Sequence, residues 1–157
     1  ILALWVPSTL IGNGLQVVSA WGFDFKQTFI WVKTKKHVMS QLTSGRLTNL
    51  DEITSVGMGH LFRQSHELAL IGTRGKIYSQ LANKSQRSVL FDSNQGHSVK
   101  PEGLQDKLEL MFPTARKIEL FARRHRQGWL TVGDELDDKL DIKTALETLI
   151  KEKDENE

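Results

Sequence analysis

The chain has 157 residues, 39% of them hydrophobic and 25% charged, the balance of an ordinary globular domain with a core to bury. It holds no cysteine, which excludes disulfides, thiolate nucleophiles and cysteine-type zinc sites, and no apolar run approaches the roughly 20 residues of a membrane-spanning helix. Its formal charge of +2 is unevenly divided: residues 134–157 carry ten acids against four bases, leaving seventeen bases against nine acids in the first 133, a surplus that suits a polyanionic partner and equally a solvated basic surface.

Ile1-Leu2-Ala3-Leu4-Trp5-Val6 is an apolar run that reads as a buried strand, too short and without the basic flank of a signal peptide. Because it opens on Ile1 in mid-strand, the domain is expected to be N-terminally incomplete, with sheet-forming residues before it in the parent protein. Pro7-Ser8-Thr9 and Gly12-Asn13-Gly14 read as turns, and Leu15, Val18 and Trp21 mark one face of a helix that Gly22 ends. Phe25–Val32 alternates and predicts a second strand running into Lys33-Thr34-Lys35-Lys36. Val38–Gly59 is polar, with glycines at 45, 57 and 59, and reads as a long loop, either functional or a passive insertion.

Glu67–Thr73 predicts a third strand, followed by a polar linker and the short run Val89-Leu90-Phe91. Pro101 suits a helix first turn, Leu104, Leu108 and Met111 give that helix an apolar stripe, and Pro113 closes it. Lys117–Phe121 and Trp129–Val132 read as fourth and fifth strands, and Leu140, Ala145, Leu146, Leu149 and Ile150 fit an amphipathic C-terminal helix. Residues 1–140 are thus expected to form one domain, and 141–157 an acidic helix and tail. The four tryptophans, Trp5, Trp21, Trp31 and Trp129, are expected in the core.

Strands alternating with helices predict an α/β fold with a mostly parallel sheet, whose ligands collect at the carboxyl ends of the strands. Those ends hold Pro7-Ser8-Thr9, Lys33, Phe121–Arg126 and Gly133-Asp134-Glu135. Arg123-Arg124-His125-Arg126, just after a strand, describes either an anion holder or a solvated basic loop. His97-Ser98-Val99-Lys100-Pro101 opens a helix where free backbone N–H groups and a lysine favour a carboxylate or phosphate, or simply caps it. Gly57-Met58-Gly59-His60-Leu61-Phe62-Arg63-Gln64-Ser65-His66-Glu67 carries two histidines and an acid, but not in the His-Glu-x-x-His order, and no metal site is expected. Gly12-Asn13-Gly14 is too short a signal for a dinucleotide-binding loop.

Read together, these stretches resemble the adenine N(6)-methyltransferase family typified by the catalytic subunit of the eukaryotic mRNA methyltransferase, with bacterial and phage DNA adenine methyltransferases among its members. The resemblance runs in order through Leu4-Trp5-Val6, Leu15–Phe23, Trp31-Val32-Lys33-Thr34, Gly57–Gly72, Ser98-Val99-Lys100-Pro101, Lys117–Arg123 and Gly128–Leu136. It implies a three-layer, Rossmann-like, S-adenosylmethionine-dependent methyltransferase fold. By position, Ser98 and Lys100 would hold the methionine carboxylate, Phe121, Arg123 and Arg126 would serve the cofactor with the two arginines at its ribose, and Asp134 with Glu135 would take the ribose or adenine edge. Glu67 stands where the family places an acid beside the target base. The sequence departs from the family pattern at Ala122, where glycine is frequent, at Arg126, where some members have asparagine, and at Asp134, where an asparagine amide often sits.

The largest departure is the Asp-Pro-Pro-Trp-like tetrapeptide of the family, absent here, where the only prolines are Pro7, Pro101 and Pro113. Adenine's exocyclic amine is a weak nucleophile whose hydrogens must be accepted as the methyl arrives, so the catalytic residues themselves are expected upstream of Ile1. The resemblance implies methyl transfer to adenine in nucleic acid, with DNA favoured over RNA by the compact spacing of the motifs. The alternative is a catalytically inactive, methyltransferase-like partner subunit that binds nucleic acid; an unrelated nucleotide enzyme that takes NAD is a third reading. A homodimer or heterodimer, no membrane, no metal and an intracellular, cytoplasmic setting in a bacterium or phage complete the expectations.

Overall fold

A computed structural model describes residues 1–36, 38, 49–59, 61–96, 98–138 and 140–154. Two compact units divide it, Ile1–Pro113 and Thr114–Glu157. In the first, strand β1 (Leu2–Val6) leads through a 3-10 turn (Ser8–Leu10) into helix α1 (Ile11–Ala20), then into the long strand β2 (Asp24–Thr34). A short helix α2 (Leu50–Ile53) precedes β3 (His66–Thr73), a second 3-10 turn (Ile77–Gln80) precedes β4 (Val89–Ser93), and helix α3 (Gly103–Met111) closes the unit.

The four strands lie in the order β1-β3-β2-β4. β3 runs antiparallel to both of its neighbours, and among the paired strands of this sheet only β2 and β4 are parallel. The sheet is therefore mixed, not mostly parallel as the alternation of elements predicts. The connection from β2 to β3 explains the difference, because it leaves and returns at one end of the sheet: Ser55 N–H donates to the Lys33 carbonyl at 2.7 Å and Lys33 N–H to the Ser65 carbonyl at 2.8 Å. A strand entered that way must run opposite to the one before it, whereas a parallel neighbour needs a crossover.

Alternate residues of β3 sort into two cores on opposite faces of the sheet. Leu68 and Leu70 pack with Val6 and with Val18 of α1; Ala69 and Ile71 pack with Phe29 and with Leu104 of α3. The unit thus has a helix against each face of its sheet. Gly12-Asn13-Gly14, read as a turn, lies inside α1. Gly14 is there for close approach: a Cβ on it would stand 2.6 Å from Val6 Cγ1 and 2.9 Å from Leu70 Cδ1, so helix and sheet touch at a distance only glycine allows.

Within the expected loop Val38–Gly59, the described residues are partly ordered against the body. Val38 and Ile53 are buried and Thr54 bridges Thr34. The strand read over Phe25–Val32 is longer in the structure, because pairing with β4 carries it through Lys33 to Thr34. Among the tryptophans, Trp31 is fully buried, but Trp21 is exposed at the end of α1, contrary to the core assignment.

The second unit has two parallel strands, β5 (Ile118–Leu120) and β6 (Leu130–Val132), and helix α4 (Ile142–Asp154). Asp141 caps α4, its side chain accepting the Thr144 N–H at 3.0 Å and its carbonyl accepting Ala145 N–H at 3.0 Å. Ala145 is fully buried, while Leu146 and Ile150 of the predicted stripe are exposed. Among the described residues, no helix is long and apolar enough to cross a membrane.

Candidate functional site

In the first unit the carboxyl ends of β1 and β2 meet the amino end of β3, and three charged side chains collect there. Lys33 lies two residues after Trp31 on β2 and so shares its face, while Glu67 on β3 is the cross-strand partner of Trp31. Lys100 comes from the turn before α3, next to the buried Pro101. Glu67 joins them: its Oε1 is 2.6 Å from Lys33 Nζ and its Oε2 2.5 Å from Lys100 Nζ.

Lys33 is the most enclosed of the three, its side chain 15% exposed against 34% for Lys100. Its ammonium lies 5.2 Å from the centre of the Trp31 ring, a cation–π contact. That ring is itself fixed, since Trp31 Nε1–H donates to the Asp92 carbonyl at 2.9 Å and the ring packs T-shaped with Trp5 at 6.4 Å between centroids. Burial by itself would raise the Glu67 carboxyl, but hydrogen bonds and charge attraction from Lys100 and Lys33 outweigh it and hold Glu67 below its ordinary value. Both oxygens of an ionised Glu67 are therefore occupied, and the cluster carries one surplus positive charge.

Glu67 and Lys100 open onto a cleft of about 250 Å³ whose other walls are Trp5, Val6, Pro7 and Gln64. Pockets for whole drug-sized ligands run from roughly 300 to 1,000 Å³, so this cleft suits one part of such a ligand. Gln64 is tied across it, donating to Ser8 Oγ at 3.1 Å, and its backbone pairs with Gly57. Ser98 is not part of the cleft wall; it stands exposed in the turn two residues before Lys100, in the left-handed region at φ 61°. His97 and His60 lie outside the described residues. Of the motif Gly57–Glu67, Glu67 is committed to two lysines, and among the described residues no group of three or more His, Asp or Glu side chains is arranged to hold a metal ion.

The second unit brings together part of the other predicted set. Arg123 Nε–H donates to Glu135 Oε2 at 2.8 Å, an exposed pair joining the loop after β5 to the loop after β6. The Arg126 guanidinium lies 6.0 Å from the centre of the Trp129 ring. The loop is braced beneath by His125 Nδ1, 2.8 Å from Thr131 Oγ1. Gly133 passes so close to Ala122 that a Cβ would fall 1.9 Å from its carbonyl oxygen, which fixes the two strand ends against each other. Phe121 is 78% exposed and held at φ 60°, a strained backbone for a bulky residue. Asp134 is exposed beside Glu135.

Among the described residues, Ser98 and Phe121 alone of the non-glycines have positive φ, and both were singled out from sequence as cofactor contacts. Such strain persists where surrounding structure over-determines it and clusters at ligand sites. The sequence reading missed the pairing of Lys33 with Glu67, and with it the reason Lys33 stands at a strand end. Its signal was the parity with Trp31, visible only once β3 is known to lie beside β2.

Comparison with known proteins bears out the resemblance. The MT-A70 family model matches residues 1–135. The chain is 30% identical over 146 residues to the type II methyltransferase M.MunI of Mycoplasma sp, covering 92% of this chain and 54% of that protein. It is 30% identical over 139 residues to the N(6)-adenosine-methyltransferase catalytic subunit METTL3 of Homo sapiens, covering 87% of this chain and 22% of that one. It is likewise 30% identical over 138 residues to an N(6)-adenosine-methyltransferase MT-A70-like protein of Arabidopsis thaliana, covering 87% and 18%. The chain thus spans about a fifth of the length of the N(6)-adenosine-methyltransferases and about half that of M.MunI.

Proposed function

The chain belongs to the MT-A70 family, and on that premise we propose that it forms part of an S-adenosylmethionine-dependent enzyme that methylates the exocyclic amine of adenine in nucleic acid, on a three-layer Rossmann-like scaffold. DNA is favoured over RNA by the compact spacing of the motifs. The observation that carries the reading is the Lys33–Glu67–Lys100 cluster at the strand ends, open to a cleft on the Lys100 side.

The residues fit the cofactor's methionine end. A surplus positive charge beside the start of α3 suits a single carboxylate, and Lys100, the more open lysine, is its holder. When bound, S-adenosylmethionine supplies a methyl group activated on a sulfonium. Trp5, Val6 and Pro7 give the cleft an apolar wall that excludes water from bound ligand. Glu67 remains ionised there, paired with both lysines, at the position where the family resemblance implies an acid beside the target base. In the second unit Arg123, Arg126 and Glu135 offer donors and an acceptor for ribose hydroxyls, with Phe121 an exposed ring for ligand contact. The group that accepts the amine's hydrogens is assigned to no residue of this chain.

The test is transfer of labelled methyl from S-adenosylmethionine, by the full-length protein, to duplex DNA and to RNA, with the product nucleoside identified. N(6)-methyladenine in DNA supports the proposal, and label in RNA alone would reverse the DNA preference. Nucleic-acid binding without transfer would leave an inactive, methyltransferase-like partner subunit. Tight binding of NAD with none of S-adenosylmethionine would overturn the family-based reading of the site.

A further inference from the structure

Glu67 faces two lysines, but only one of them reaches the cleft. Lys100 forms part of its wall, whereas Lys33 lies behind Glu67, its ammonium against the fixed ring of Trp31 and its side chain 15% exposed. Charge counting gives Lys33 a purpose that its position does not otherwise explain. If Glu67 and Lys100 stood alone, they would form a neutral pair, and an anion entering the cleft would have to compete with Glu67 for the only ammonium. With Lys33 present, Glu67 is already neutralised from behind, and the charge of Lys100 is left over for a ligand.

We infer that Lys33 is a positioning residue that keeps Lys100 available to an anionic ligand group, by neutralising Glu67 from the side away from the cleft. The inference rests on the proposed cofactor reading for the ligand's identity, a carboxylate. A nucleic-acid phosphate offers the same anionic chemistry, and the arms of the test separate the two. Lys33 needs no contact with ligand for this role. At the distances observed, 2.6 Å and 2.5 Å, the two ammoniums act on opposite oxygens of one carboxylate, so removing either changes what the other is worth.

The consequence is a suppressor relation that a merely structural role would not produce. Lys33→Met keeps the apolar stem against Trp31 and removes the charge. It should weaken S-adenosylmethionine binding about tenfold, the scale of one lost charge-assisted interaction. Lys33→Met combined with Glu67→Gln frees Lys100 again and should restore affinity to within about threefold of the unsubstituted protein, the scale at which residual packing differences remain. Lys33→Arg, which keeps the charge, should bind like the parent.

Isothermal titration of the full-length protein with S-adenosylmethionine, with its decarboxylated analogue and with a DNA oligonucleotide reads all three. Loss in Lys33→Met confined to the carboxylate-bearing ligand, with recovery in the double variant, supports the inference. Failure of the double variant to recover overturns it, as does an equal loss for the decarboxylated analogue. Loss confined to the oligonucleotide overturns the carboxylate assignment. Should Lys33→Met fail to fold, Glu67→Gln alone decides: affinity for S-adenosylmethionine that holds or rises supports the inference, and affinity that falls overturns it. Absence of S-adenosylmethionine binding by the unsubstituted protein would instead refute the proposed function, a result distinguishable from every outcome above.

Discussion

Glu67 shows how a carboxylate can be half-buried and still ionised. Desolvation acts against its charge, and two ammoniums on its two oxygens act for it more strongly. Because its folded value is depressed, the stabilisation it gives is fully present above the ordinary value of 4.5 and is lost as pH falls through the lower, folded value. Stability of the full-length protein measured against pH should therefore fall on the acid side of 4.5, and Glu67→Gln should flatten that part of the curve. An unchanged slope in the variant would mean that another carboxylate carries the acid sensitivity. Phe121 is the opposite case, with strain and little burial. Phe121→Gly should raise stability by about 1 kcal/mol, the usual cost of a bulky residue in the left-handed region. Chemical denaturation checks that gain. The same variant should bind S-adenosylmethionine more weakly, and unchanged affinity would remove Phe121 from the cofactor contacts.

At the scale of elements, the unit of organisation is β1–α1–β2, a crossover whose two parallel strands are held apart by β3. Each link was written in local pattern: the apolar run of β1, the three-residue spacing on α1, the alternation on β2. What the pattern could not give was the strand between them, since strand order depends on contacts distant in sequence. Gly12-Asn13-Gly14 illustrates the same gap. Glycine is a turn former in isolation, but at position 14 it is a contact surface between helix and sheet. Gly14→Ala would gain helix propensity of about 1 kcal/mol if exposed. Here its methyl meets the stiff, buried Val6 and the buried Leu70, so the variant should lose about 1–3 kcal/mol, the usual cost of overpacking a core. Thermal or urea unfolding decides the sign, and a stabilised variant would show that α1 can shift outward at little cost.

For the whole molecule, charge is the property that sequence states most directly. The basic surplus of the first 133 residues and the acidic surplus of the last 24 are fixed whatever the fold. If the basic surface engages nucleic acid, the logarithm of the full-length protein's affinity should fall linearly with the logarithm of salt, by about 0.9 per phosphate neutralised on duplex DNA and about 0.7 on a single strand. Titrations at several salt concentrations measure the slope, and a flat dependence would assign the basic residues to solvated surface alone.

The sequence by itself determined the family and the existence of nearly every strand and helix, because residue order and local periodicity carry both. It also nominated Glu67, Lys100, Arg123 and Glu135, which the structure joins within each unit as Glu67 with Lys100 and Arg123 with Glu135. Only the tertiary structure decided that β3 lies antiparallel between β1 and β2, and that Lys33 stands behind Glu67. Ion pairing acts over a few ångströms of space, and which residues come that close is set by the order of strands in the sheet, which no local pattern records.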